Sequence, residues 1–280
     1  MKKNSYEPII IIGAPRSGTN MLRDVLTKLN HVSTWPCDEI NYIWRHGNVF
    51  YPSDELPAEA AHSNIKRYIR SKFDWVDRKY DCDYVVEKTC ANSLRVDFVD
   101  KIIPEAKYVF IKRDLYDAVA SAMKRWTAEL DIKYILEKAR FVPLTDLPYY
   151  ASKYIWNRFY RFFSSEKRLA FWGPKLDNMD DLLGKYSLEE ICAIQWKRCV
   201  EKSEESFRKI GNSKFIEIQY EDFVKAPKQN LQKICSFIGI TPSTDEIRAA
   251  VSNVELRSVG KGIKSLNEEQ VEKISAIVSE

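Results

Sequence analysis

Residues 9–20 read IIIIGAPRSGTN. Four isoleucines end at Gly13, a loop follows that carries Arg16, Ser17 and Gly18, and an apolar pattern at helical spacing resumes over Met21–Leu29. An apolar run without alternation suits a strand covered on both faces. Strand, glycine-bearing loop and helix, in that order, gather backbone N–H groups and a helix N-terminus around one small volume where an anion is favoured. The frame is that of G-x-x-x-x-G-K-[ST], but Thr19 stands in place of the lysine and Asn20 in place of the metal-binding hydroxyl. Arg16, Ser17 and Thr19 supply other donors.

Three more short apolar runs read as buried parallel strands: Tyr84–Val86, Tyr108–Ile111 and Phe215–Ile218. A helical pattern over Leu115–Trp126 follows one of them, with Asp114 as its N-cap. The expected fold class is α/β: a central parallel β-sheet flanked by helices, of the phosphate-loop nucleotide-binding type. Residues of about 128–210 form a helical, aromatic-rich insertion, with ten aromatic residues between Tyr149 and Trp172. Spacings such as 156, 159, 160 and 163 give one buried helical stripe; an acceptor-binding wall is the alternative. One domain spanning 1–280 is expected, with the insertion on its acceptor side.

The chain has 280 residues, 45% of them hydrophobic, which is enough for a sizeable core. A net charge of +4 suits an anionic ligand and falls short of a nucleic-acid-binding composition. The apolar run at Ile9–Ile12 is far short of a membrane span, and no signal-peptide pattern opens the chain. The six cysteines (37, 82, 90, 192, 199, 235) show no C-x-x-C spacing, and Cys192 and Cys199 share one face of a helix. A cytoplasmic protein is expected, without a metal, because the three histidines (31, 46, 62) have no ligand spacing either.

A nucleoside triphosphatase places its loop lysine on the β- and γ-phosphates and a hydroxyl on magnesium. This loop offers neither, so transfer of a less charged group without a metal is favoured, and sulfuryl transfer meets that condition. At this point the sequence resembles the sulfotransferases that use 3′-phosphoadenosine 5′-phosphosulfate (PAPS). GAPRSGTN is similar to their 5′-phosphosulfate loop, and Glu87-Lys88-Thr89 follows in order. Arg113 to Ser121 matches the 3′-phosphate motif, Tyr220-Glu221-Asp222-Phe223-Val224 with Pro227 a later segment, and Gly260-Lys261-Gly262 the loop that closes over the nucleotide. The motif style is nearest to bacterial carbohydrate and protein-tyrosine members.

The resemblance implies that PAPS is held by Arg16, Ser17, Gly18, Thr19, Asn20, Arg113, Ser121, Arg125, Tyr220, Lys261 and Gly262, with Arg16 and Lys88 acting on the transferring group. For Arg113 the plain alternative is an ion pair with Asp114 or Asp117. Asn20, and Leu115 after Asp114, depart from the family pattern. An acidic residue after the first helix serves as base in the carbohydrate and protein-tyrosine branches. Here Glu39 fits best, with Asp38 beside it, His31 and His46 as other candidates, and a pair with Arg45 as the plain alternative. Trp172-Gly173-Pro174, Gln195 and Arg198 suit a saccharide acceptor, with small phenols, tyrosyl peptides and lipids as the other candidates. No nucleic-acid partner is expected. A kinase-like phosphotransferase and a non-catalytic nucleotide-binding protein are the other readings.

Overall fold

The computed structural model describes residues 6–127, 140–152, 155–156 and 171–279. Five strands, β1 (Glu7–Ile12), β2 (Val32–Ser33), β3 (Tyr84–Lys88), β4 (Lys107–Lys112) and β5 (Phe215–Gln219), form one sheet. Their order is β2-β3-β1-β4-β5, and every pairing is parallel. Ile11 lies opposite Lys88 on one side and Val109 on the other. Lys112 in turn lies opposite Gln219. The carboxyl ends of β1, β3, β4 and β5 therefore meet at one edge. The chain goes from β1 outward to β2 and β3, then returns to the other side of β1 for β4 and β5. A crevice opens at such a switch of direction, where open α/β sheets place their ligands.

Side chains alternate across a strand, and β1 shows the consequence. Ile9 and Ile11, with Val86, Val109 and Ile111, pack on Leu22, Val25, Leu26, Phe223 and Leu231. Ile10 and Ile12, with Val85, Tyr108 and Phe110, pack on Ile69, Phe73, Phe98 and Phe207 on the opposite face. A central strand needs isoleucine at both parities because neither face meets water. Each such burial contributes roughly 1.5–3 kcal/mol. A third cluster, with Val119, Trp126, Cys192, Cys199 and Ile274, joins the helices Leu115–Trp126, Leu188–Ile210 and Glu268–Ser279. The two cysteines there behave as small buried hydrophobes, as their spacing predicts.

The Leu115–Trp126 helix has the predicted bounds, and Asp114 accepts from the Asp117 N–H at 3.0 Å. The first helix runs over Thr19–Leu26, shorter than its apolar pattern. β2 has only two residues, too few to leave a period, and exists because β3 offers it an edge. Within the expected insertion, Met179–Lys185 and Leu188–Ile210 are helices, the latter opened by a Ser187/Glu190 capping box. Residues 153–154 and 157–170, which carry half of the aromatic residues of that stretch, lie outside the described residues. Trp156 is 71% exposed, so that member of the expected stripe is not in the core. Among the described residues no helix is long and apolar enough to cross a membrane.

Candidate active site

A cleft of about 1080 Å³ opens at the carboxyl edge of the sheet. Its floor is the loop after β1. Gly18 has φ +91° and caps the Thr19–Leu26 helix, whose N-terminus no side chain caps. The first N–H groups of a helix lack intrahelical partners, and here Gly18, Thr19 and Asn20 line the cleft. A Cβ built on Gly18 would lie 2.3 Å from the Tyr220 ring, so only glycine fits under that ring.

Arginines cross-link this floor to the neighbouring elements. Arg16 Nε donates to the Ser121 hydroxyl at 2.9 Å. Arg113, at the end of β4, donates to the carbonyls of Arg16 (2.9 Å) and Ser258 (2.8 Å), and its guanidinium lies 4.4 Å from the centre of the Tyr220 ring. The Tyr220 hydroxyl shares a 2.6 Å hydrogen bond with Ser258. The ion pair of Arg113 with Asp117 does form, at 3.7 Å, but as a buried contact. Asp117 also accepts from the backbone N–H groups of Gly260 (2.8 Å) and Gly262 (2.5 Å). A Cβ on Gly262 would lie 2.3 Å from the Tyr116 carbonyl, so the late loop sits directly on the start of the Leu115–Trp126 helix. Glu221 accepts from the Asp114 N–H at 3.1 Å, which docks the Tyr220 segment to the same place.

The charge in this half of the cleft is one-sided. Arg16, Arg113, Lys124, Arg125, Arg257 and Lys261 line it, against the carboxylate of Asp117. Burial holds the Arg16 guanidinium below its usual range, and repulsion from Arg125 adds to this. Arg113 Nε and the Ser17 hydroxyl are buried without a hydrogen-bond partner among the described residues. Buried donors without acceptors are costly, roughly 1–3 kcal/mol each. Crowded cations and idle donors are what an anion would relieve.

The other half of the cleft is acidic and aromatic. Glu39 accepts from Lys88 Nζ at 3.0 Å and from the Cys90 N–H at 3.3 Å. Asp38 accepts from Lys88 at 3.2 Å and from Arg23 at 2.8 Å. Lys88 is buried beneath the two carboxylates and does not itself line the cleft. Burial alone would lower its ammonium, but Glu39 and Asp38 override that and hold it above the usual lysine range. Burial, then Glu39, pushes the Cys90 thiol above its usual range. Tyr42, Phe171 and Trp172 add aromatic rings to the lining.

Every residue expected to hold the nucleotide lines the cleft except Ser17, which is buried behind it. Neither alternative histidine does: His31 is exposed near Asp83, and His46 bonds Asp146 at 2.9 Å. Arg45 turns to Asp54, not to Glu39, at 2.9 Å. Gln195 donates to the carbonyls of Trp172 and Pro174, and Arg198 pairs with Glu55, so both hold polypeptide. Sequence reasoning missed Lys124, Arg257, Ser258 and the anchoring carboxylate of Asp117. Lys124 adjoins Arg125, Asp117 is four residues from Arg113, and Arg257 precedes Gly260 by three; those neighbours were the available signal. Among the described residues no group of three or more His, Cys, Asp or Glu is placed to hold a metal ion.

The sequence matches the profile of the sulfotransferase family over residues 8–164 and 152–245. No curated protein matches it. The fold is similar to the sulfotransferase domain of the Synechococcus olefin synthase, at 15% identity and a TM-score of 0.51 over 99% of this chain and 90% of that one. It is similar to a sulfotransferase of Mycobacterium avium, at 12% identity and 0.54 over 99% and 76%. A mouse sulfotransferase complexed with PAP aligns at 13% identity and 0.52 over 97% and 82%. At these identities the solved structures speak for the fold, and the profile, which spans most of the chain, speaks for descent: the chain belongs to the sulfotransferase family.

Proposed function

We propose that this chain, as one catalytic domain, binds PAPS in the cleft and moves its sulfuryl group to a hydroxyl of a saccharide. The observation that carries the reading is the division of one cleft into a cationic half, with an uncapped helix N-terminus, and a half that presents Glu39 over a buried lysine. The residues fit a nucleotide with anions at both ends. Idle donors at Ser17 and Arg113, and the mutual repulsion at Arg16, would be answered by its 5′ and 3′ groups. The mouse protein was solved with PAP, the desulfated form of this nucleotide, which supports the same ligand here.

In this reading Gly18, Thr19 and Asn20 hold the 5′ end with backbone N–H groups. Arg113, Ser121, Arg125 and Lys261 hold the 3′-phosphate, and Tyr220 and Gly262 shape its pocket. Bound PAPS supplies the sulfuryl group. Glu39 takes the proton of the acceptor hydroxyl as its oxygen bonds to sulfur, and the sulfur–oxygen bond to the 5′-phosphate breaks. Arg16 offsets the charge left on that phosphate. Lys88 pairs with both Glu39 and Asp38 beforehand; once Glu39 takes the proton, Asp38 alone offsets the lysine's charge beside the reacting end of the cleft. Tyr42, Phe171 and Trp172 offer ring faces on which sugars stack.

The test is labelled PAPS with a panel of saccharides, small phenols and tyrosyl peptides, in the presence of EDTA. Label is expected on a saccharide, at a rate EDTA does not change. Label on phenols or peptides alone would move the acceptor, and no calorimetric binding of PAP would overturn the nucleotide.

A further inference from the structure

A buried polar chain runs under the acidic half of the cleft, apart from every residue assigned above. Its centre is Glu87 of β3, wholly buried and immediately before Lys88. One carboxylate oxygen accepts from the Thr89 hydroxyl at 2.5 Å, and Thr89 Oγ1 accepts from the Ile40 N–H at 3.2 Å. The other accepts from Asn92 Nδ2 at 2.9 Å, and Asn92 Oδ1 accepts from Arg95 Nε at 2.9 Å. Arg95 Nη2 donates onward to Asn41 Oδ1 at 2.5 Å. Asn41 lines the cleft. The two arms thus end on Ile40 and Asn41, the residues that follow Glu39.

No regular structure fixes Glu39. It stands between the two-residue strand β2 and the short Asn41–Trp44 helix. Something else must hold its backbone, because a general base works only within about 2.6–3.2 Å of the proton that it removes. A wholly buried carboxylate is costly unless its oxygens are used, and those of Glu87 are used on these two arms. Burial pushes its carboxyl up to about 7, so this cost is felt. A hydrophobic residue would fill the same place without it.

We propose that Glu87 is a positioning residue, which fixes the Glu39–Asn41 segment through Thr89 on one side and through Asn92 and Arg95 on the other. The proposal rests on the reading of Glu39 as the base. Glu87 touches no reactant, and its work is done through the backbone of the residues next to Glu39.

Four proteins test it: Glu87→Gln, Thr89→Val, Glu39→Gln, and Glu87→Gln with Glu39→Gln. Each is assayed with labelled PAPS and the saccharide selected above, and by hydrogen exchange of peptides covering residues 38–42 and 7–12. Thr89→Val cuts one arm without touching Glu87, and serves if Glu87→Gln does not fold. Either single change is expected to speed exchange at 38–42 and not at 7–12, and to lower kcat by about tenfold or more with KM for PAPS within about twofold. In the Glu39→Gln background the loss from Glu87→Gln should shrink to less than about twofold, because a misplaced amide loses nothing further. An equal loss in both backgrounds, or unchanged exchange at 38–42, overturns the proposal. Glu39→Gln at the wild-type rate would instead remove the base, while the exchange data still decide whether Glu87 holds the segment.

Discussion

Arg16 Nε donates to the hydroxyl of Ser121 at 2.9 Å, although 105 residues separate them in the chain. One belongs to the loop after β1, the other to the helix after β4, and these strands are neighbours in the sheet. The two groups expected to hold opposite ends of a nucleotide are thus already in contact, and Arg113 reinforces the contact through the Arg16 carbonyl. Charge-assisted bonds contribute roughly 1.5–3 kcal/mol each. Arg113→Ala should therefore weaken PAP binding by about tenfold or more. Adenosine 5′-phosphosulfate, which lacks the 3′-phosphate, should lose little. Calorimetry with both ligands checks this; equal losses would show that Arg113 only braces the loop.

Gly18→Ala should abolish nucleotide binding with a folded protein left behind. The methyl group would have to share space with the Tyr220 ring, 2.3 Å away, at a backbone φ of +91° that L-residues rarely adopt. Tyr220 cannot retreat freely, because its hydroxyl is bonded to Ser258 and its face carries Arg113. PAP titration and far-UV circular dichroism, measured on the same sample, separate loss of the site from loss of the fold.

Asp117→Asn should raise KM for PAPS by about tenfold and leave kcat nearly intact. The Gly260 and Gly262 N–H groups bond to different oxygens of Asp117, and the amide replaces one of these with an NH2 that cannot accept, so the loop that carries Lys261 loses one of its two anchors. The charge opposite Arg113 is lost with it. Steady-state kinetics at varied PAPS read the split; a fall in kcat alone would place Asp117 in the chemistry instead.

The strands β1, β3 and β4 were legible because central parallel strands need apolar side chains at both parities, and Ile9–Ile12 states that need without ambiguity. β5 was read as a buried strand, but it lies at the sheet edge and only its Ile218 is buried. β2 was not legible, since two residues carry no period. The loop after β1 was legible because strand, glycine-bearing loop and helix follow one another in the chain, so the place of Gly18, Thr19 and Asn20 at a helix N-terminus depends on local order alone. Gln195 and Arg198 misled for the converse reason. A side chain that seals a loop, as Gln195 does at Trp172 and Pro174, has the same letters as one that binds a sugar. Asp117 was read only as an ion-pair partner of Arg113; its anchoring of the late loop was not legible, because its partners there are the N–H groups of glycines 143 and 145 residues away.

Glu87 makes stability depend on pH with a definite sign. Burial raises its carboxyl from the ordinary 4.5 to about 7, against the pull of the Thr89 hydroxyl, the Trp44 indole and Lys88 and with some help from Glu39. A raised folded-state value means that the folded chain holds this proton more tightly than the unfolded chain. The stability so gained is complete below about 4.5 and is lost as pH rises through about 7. Glu87→Gln has no such proton to lose. The denaturation midpoint of the wild type, relative to that of Glu87→Gln, should fall between pH 5 and pH 8. A constant difference would mean that the carboxyl is ionised throughout.

Glu39→Gln should lower kcat by about 10²–10⁴-fold, the usual range for loss of a general base, with PAP binding preserved. The amide keeps the length of the side chain and one oxygen for the Cys90 N–H, so the segment stays in place. Asp38→Asn should cost far less. Asp38 is held by Arg23 as well as by Lys88, which leaves its carboxylate committed on two sides. Single-turnover rates with bound PAPS and the selected saccharide isolate the transfer step. If Glu39→Gln stays within about threefold of wild type while Asp38→Asn is inactive, the base is Asp38. The neighbouring carboxylate then uses the same lysine, and the nucleotide half of the cleft is unaffected.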